Sequence, residues 1–234
     1  MKIKALISSG LAVVLLAFGV SNIAKANLIS NASFEDVPST ATGQGILPTD
    51  WVNIPPPTPT ADTYSNDGSY GLAPSAGGNF TGVTAYDGIR WVAGWSAQGQ
   101  ESFGQWLGTS LVAGVEYDLS GWLHQAVRND LNYPGGYNVY LTNTPGVQTE
   151  LLGFLGSTTS VSAGWDQFGF SFTATDTMAS LGFLEFAPIA TQGGSAYPGL
   201  DLVSLEAVSS VPEPSIIALL GIGFAGMVIA RRKK

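Results

Sequence analysis

Between residues 27 and 211 the chain never sustains an apolar period of 3.6 residues, and this excludes more folds than any motif it carries. Gly, Thr, Ser, Val and aromatic residues dominate there, and turn-forming residues interrupt the sequence about every ten residues. Strands are expected over 28–35, 79–85, 88–93, 101–107, 115–127, 136–142, 151–155, 165–174, 179–186 and 200–207. Parallel α/β architectures need crossover helices, which this pattern lacks. The expected fold is all-β, a two-sheet antiparallel β-sandwich, most simply a jelly roll. Ile54 to Thr60, with four prolines, reads as an extended surface loop within that domain.

Two apolar ends frame the domain. Met1-Lys2-Ile3-Lys4 is basic, Ala5 to Val20 is apolar, and Ala24-Lys25-Ala26 has the small-x-small form of a signal-peptidase site, so 1–26 reads as a signal peptide cleaved after Ala26. At the other end, 209–234 carries Pro212-Glu213-Pro214, an uncharged run and Arg231-Arg232-Lys233-Lys234. The prolines mark a helix start. A single transmembrane helix is expected over 215–230, its basic end held in the cytoplasm and the domain of 27–208 outside. Proline punctuation, apolar helix and basic end, in that order, resemble the PEP-CTERM sorting signal of bacterial envelope proteins. The resemblance implies transient anchoring in the inner membrane and processing near Pro212, Glu213 and Pro214 by an exosortase.

Residues 27 to 211 hold sixteen Asp and Glu against Arg90 and Arg128, a net charge of −14 with the one histidine neutral. So acidic a surface repels phosphate backbones, and nucleic-acid binding is excluded as a function class. The chain has no cysteine, which removes disulfides, a thiol nucleophile and thiolate metal sites together. His124 is the only histidine, and Ser96 in Gly94-Trp95-Ser96-Ala97-Gln98-Gly99 makes no Gly-x-Ser-x-Gly elbow, so no catalytic residue is assigned.

Asn27 to Glu35, Trp51, Gly114 to Trp122 and Gly199 to Ser204 together resemble the galactose-binding-like jelly rolls, among them many carbohydrate-binding modules. Ala32 stands where that family usually has glycine. In that fold the first and last strands are neighbours, so the resemblance implies a structural calcium held by Glu35 and Asp201 with backbone carbonyls.

Alternation along 115–127 puts Val115, Tyr117, Leu119, Gly121, Leu123, Gln125 and Val127 on the core side and Asp118, Ser120, Trp122, His124 and Ala126 outside. On the next strand Tyr137, Val139 and Leu141 face in, and Asn138, Tyr140 and Thr142 out. If these strands pair, Trp122, His124, Asn138 and Tyr140 form one polar and aromatic face, with Arg128 at its end and Tyr133 on its rim. Aromatic planes with nearby amides suit a sugar ring, whose C–H face stacks while its hydroxyls are hydrogen-bonded. Arg90, Trp91 and Trp95 are a second candidate group. The functional expectation is an exported, non-catalytic glycan-binding module whose partner is matrix polysaccharide. A structural matrix or adhesion protein, a glycan hydrolase or lyase, and an ice-binding protein are the alternatives.

Overall fold

The computed structural model describes residues 26–54, 60–75, 78–97, 100–161 and 163–208. The expected leader, apart from Ala26, and the tail of 209–234 with its helix lie outside the described residues. Among the described residues no helix is long and apolar enough to cross a membrane.

The elements in chain order are β1 (Val52–Asn53), β2 (Asp62–Ser65), β3 (Arg90–Ala93), β4 (Phe103–Trp106), β5 (Glu116–His124), β6 (Gly135–Thr142), β7 (Glu150–Gly156), β8 (Trp165–Thr173), the single-turn helix α1 (Asp176–Ala179), β9 (Phe183–Ala190) and β10 (Gly199–Ala207). They form two five-stranded sheets, ordered β1-β4-β9-β6-β7 and β2-β3-β10-β5-β8. All strand pairs are antiparallel. The expected all-β sandwich is therefore the observed architecture.

Alternation builds the core. Tyr117, Leu119 and Leu123 of β5 and Tyr137, Val139 and Leu141 of β6 turn inward from opposite sheets. Phe103, Leu184, Phe186, Leu200, Val203 and Leu205 complete the layer between them. The Trp51 ring sits against Phe34, Phe103 and Phe186 at centroid distances of 4.8, 5.7 and 5.8 Å. Burying each such side chain contributes about 1.5–3 kcal/mol. Both sheets and this core are built from residues 27 to 208, so that segment carries what it needs to fold alone.

Two expected strands are absent. Over 28–35, Asn31 and Phe34 adopt left-handed backbone (φ 46° and 62°), which no strand accommodates. The Asn31 side chain holds the resulting turn, accepting from the Asp36 amide and donating to the carbonyls of Asp36 and Thr49. Over 79–85, only Phe80 makes a bridge, to Arg128, and the segment instead lies across the outside of the second sheet. There Phe80, Val83 and Ala85 meet Tyr64, Trp91, Val127 and Tyr197 in a second, smaller apolar cluster. The short strands β1 and β2 take the two vacated places in the count. Residues 179–182, expected as the start of a strand, instead close the α1 turn, capped by Thr175 Oγ1 accepting from Met178 N, and β9 begins at Phe183.

Candidate functional site

The face expected from β5 and β6 does not exist, because the two strands belong to opposite sheets: β5 pairs with β10 and β8, β6 with β9 and β7. Trp122 and His124 therefore lie on one outer face of the sandwich and Asn138 and Tyr140 on the other. Trp122 stacks on Tyr86 with centroids 3.8 Å apart and planes 13° from parallel. His124 points outward as expected but is buried, its ring edge-on to Trp165 at 5.5 Å. Burial pushes its imidazole below the ordinary value and so favours the neutral form, against the opposing pulls of the Ala163 backbone and the Asp166 carboxylate, which favour the charged one. Arg128 is locked to Asp130 through Nε and Nη2 at 2.9 and 2.8 Å, and its guanidinium lies 5.0 Å from the Phe80 ring.

The second candidate group is also structural. Trp91 is wholly buried and stacks on Tyr64 at 4.4 Å. Behind it, Tyr197 Oη donates to Asp62 Oδ2 at 3.2 Å, and Glu101 accepts from the Trp95 amide at 2.7 Å. Burial raises both carboxyls, Glu101 to about 8.

Glu35 and Asp201 do reach the same segment, residues 86–90, as expected. What they hold there is the protein's own N–H groups. Glu35 Oε1 accepts from the amides of Ile89 and Arg90, both at 2.7 Å, and Oε2 pairs with Arg90 Nη1 at 3.0 Å. Asp201 Oδ2 accepts from the amides of Tyr86 and Asp87 at 2.8 and 3.0 Å, and Oδ1 from Leu202 N at 2.7 Å. Burial pushes the Asp201 carboxyl up to about 7 despite these three donors. Calcium wants six to eight oxygen ligands. Every carboxylate oxygen here already faces a donor, one of them a guanidinium, and among the described residues no three acidic, His or Cys side chains are grouped to hold a metal. This donor set does not fit the ion.

Asn138 and Tyr140 belong to a different surface, the outside of the sheet β1-β4-β9-β6-β7. Register places Val52, Gly104, Glu185, Tyr140 and Leu151 in one row across all five strands. These residues share a face with their neighbours two along, Trp106, Phe183 and Thr142 on one side and Ala187 and Asn138 on the other, and with Phe154, which lies opposite Asn138 beyond the irregularity in β7. Trp106 is 54% exposed, Val52 44% and Leu151 54%. Trp106 is braced edge-on by Phe183 at 5.3 Å. Gly104 has no room for a side chain beside Phe183, so the row stays low at its second strand.

Glu185, at the middle of the row, is wholly buried. The loop between β6 and β7 folds onto it: Oε2 accepts from Gly146 N at 3.0 Å and Oε1 from Gln148 Nε2 at 3.1 Å. The same loop presents Val147, 60% exposed. Asn138 Nδ2 and Tyr140 Oη stand 3.4 Å apart. The result is an aromatic and aliphatic strip flanked by an amide, a phenol and a restrained carboxylate. Such a surface can stack on a flat ring and hydrogen-bond its substituents. Of the residues singled out in the sequence, Asn138 and Tyr140 are in it, and Trp106, Val52, Val147, Leu151 and Glu185 are new.

Residues 210–234 match the PEP-CTERM protein-sorting motif, which marks an exported, envelope-sorted protein and implies exosortase processing. No curated protein matches the sequence. Among solved structures the chain is similar to the Stig cyclase Fisc from Fischerella sp. TAU, at 16% identity over 79% of this chain and 98% of that one, with a TM-score of 0.49. It is also similar to TmCBM61 in complex with β-1,4-galactotriose, at 15% identity over 78% and 99% of the two chains and a TM-score of 0.44. A third similar structure is a family 16 carbohydrate-binding module, at 18% identity over 52% and 79% and a TM-score of 0.36.

Proposed function

We propose that the sandwich is a non-catalytic glycan-binding module, a galactose-binding-like jelly roll, exported with a leader cleaved after Ala26 and held by the helix of 215–230 until exosortase acts near Pro212–Pro214. The observation that carries this reading is the placement of exposed apolar side chains. Of the eight large ones among the described residues, Val52, Trp106 and Leu151 lie on the outer face of one sheet and Val147 on the loop folded against it. A soluble domain of net charge −14 has no folding reason to collect them there. Their polar neighbours, Asn138, Tyr140 and the amide of Gln148, are the hydrogen-bonding groups that a polyhydroxylated ligand needs. Neither arginine of the domain is on this face, and the ligand is accordingly a neutral glycan of the surrounding matrix.

Affinity electrophoresis of residues 27–208 in gels carrying a galactan, a β-glucan or a xylan tests the reading. Retardation by one of them, abolished by Trp106→Ala with Tyr140→Ala, is the expected result. A folded domain that migrates unretarded in all three and on its host's own exopolysaccharide is a structural matrix protein instead.

A further inference from the structure

Two open sheets have four edges, and three of them here are guarded. β1 is two residues long. The free side of β2 is taken by the segment at Leu72, with Ser65 N donating to Leu72 O and Leu72 N to Thr63 O, both at 2.9 Å. β7 is irregular, its register shifting where it passes Val139 and Tyr140. Shortness, cover and bulging are the devices by which proteins keep edges from pairing with other chains.

β8 has none of them. It runs nine residues in unbroken register with β5, from Trp165 opposite His124 to Thr173 opposite Glu116. It contains no Pro, Lys or Arg, and among the described residues no strand lies on its other side. Phe168, Phe170 and Phe172 point to the core but are only partly buried, being at the open margin. Charge identifies the partner. From residue 151 to 175 Asp166 is the one charged side chain, in a domain of net −14. Two copies repel through most of their surfaces and least through this margin.

We propose that β8 is a homotypic docking edge, on which a second copy of this chain adds its own β8 antiparallel about a two-fold axis near Gly169. The five-stranded sheet then continues into a ten-stranded one. In that register Phe168 faces Phe170, Gln167 faces Ser171 and Asp166 faces Phe172 of the second copy, so the phenylalanines next to the axis pair with each other on both sides of it and no carboxylate opposes a carboxylate. The face around Trp106 belongs to the other sheet and stays open.

Sedimentation velocity of residues 27–208 across a wide concentration range is expected to show a monomer–dimer equilibrium. Gln167→Lys with Ser171→Lys, both at exposed positions, should weaken it at least tenfold while leaving the melting temperature and glycan retention in place. Since the chain has no cysteine, Gln167→Cys with Ser171→Cys offers an independent readout: oxidation should give a covalent dimer on a non-reducing gel. A single-chain mass at every concentration overturns the proposal. So does a dimer that the lysines leave intact, or a cysteine pair that stays uncross-linked while the wild-type domain dimerises.

Discussion

Trp106 and Trp122 are both partly exposed aromatic residues on outer faces, and what lies behind each ring separates their roles. Trp122 is covered by the Tyr86 ring, so its flat surface is already used. Trp106 has no parallel ring stacked on it, packs near-perpendicular to Phe183 and beside Gly182, and stays more than half exposed. Trp106→Ala should cost at least tenfold in glycan retention with a small change in melting, and Trp122→Ala should do the reverse, lowering stability by about 0.5–1.5 kcal/mol through the lost stack while retention persists. Arg90 is the second decisive residue. Arg90→Met removes the guanidinium from Glu35 and should destabilise by about 1–3 kcal/mol, a lost charge-assisted bond, read as a lower Tm in calorimetry. The wild-type domain should melt at the same temperature in calcium and in chelator. A clear calcium-dependent rise would return Glu35 and Asp201 to the role of metal ligands. Glu101 and Asp201, with Asp62 shifted in the same direction, tilt the pH dependence one way. Both hold a proton more tightly folded than unfolded, Glu101 to about 8 against an ordinary 4.5 and Asp201 to about 7 against 3.8. Their contribution is fully present below those ordinary values and is lost as pH rises through 7 to 8. Tm should therefore fall as pH rises from about 4.5 to about 8, and Glu101→Gln should flatten the slope; a Tm that climbs over this interval would contradict the assignment.

Elements were legible where side-chain parity decides them and illegible where pairing does. The inward sets of β5 and β6 follow from alternation alone, because Tyr117, Leu119 and Leu123, like Tyr137, Val139 and Leu141, leave no other face for the core. Which strand lies beside which is not written in parity. Consecutive strands usually pair, but the connection from His124 to Gly135 carries the chain from one sheet to the other, and the composite face fails for that reason alone. Trp106 escaped notice because Phe103 and Trp106 in the same short strand are both apolar and of opposite parity. The residue that breaks the tie is Gln105, which turns inward to bond the backbone of Ser30 in both directions, at 2.9 and 3.1 Å. That amide, together with backbone bonds from Leu28 N to Leu205 O and from Val203 N to Ala32 O, holds the segment of 28–35, whose positive φ angles no composition argument reveals. Asn31→Ala should thus destabilise the domain by about 1–3 kcal/mol, losing side-chain bonds and a residue suited to left-handed backbone together. Urea midpoints of the two proteins measure it. Glu185 was illegible for a similar reason: within Phe183-Leu184-Glu185-Phe186 its burial depends on a loop forty residues earlier in the chain, about which the strand itself says nothing.

At the scale of the whole molecule, a strongly acidic domain carries one strip whose row holds a single carboxylate, the buried Glu185, and one edge strand whose single charge is Asp166. Binding at the strip should vary little with ionic strength, and a gel carrying an acidic polysaccharide such as a polyuronate should not retard the domain at low salt. Retention that instead grows with the ligand's negative charge would show that some other surface is at work. The two arginines have a further consequence. Enzymes that cut after basic side chains find only two such bonds between Asn27 and Pro214, and both side chains are already committed, Arg90 to Glu35 and Arg128 to Asp130. Arg90, 13% exposed, cannot enter a digestive pocket until its segment has come loose, whereas Arg128, 27% exposed, is held only by a surface pair, so a trypsin-like enzyme should cut first after Arg128.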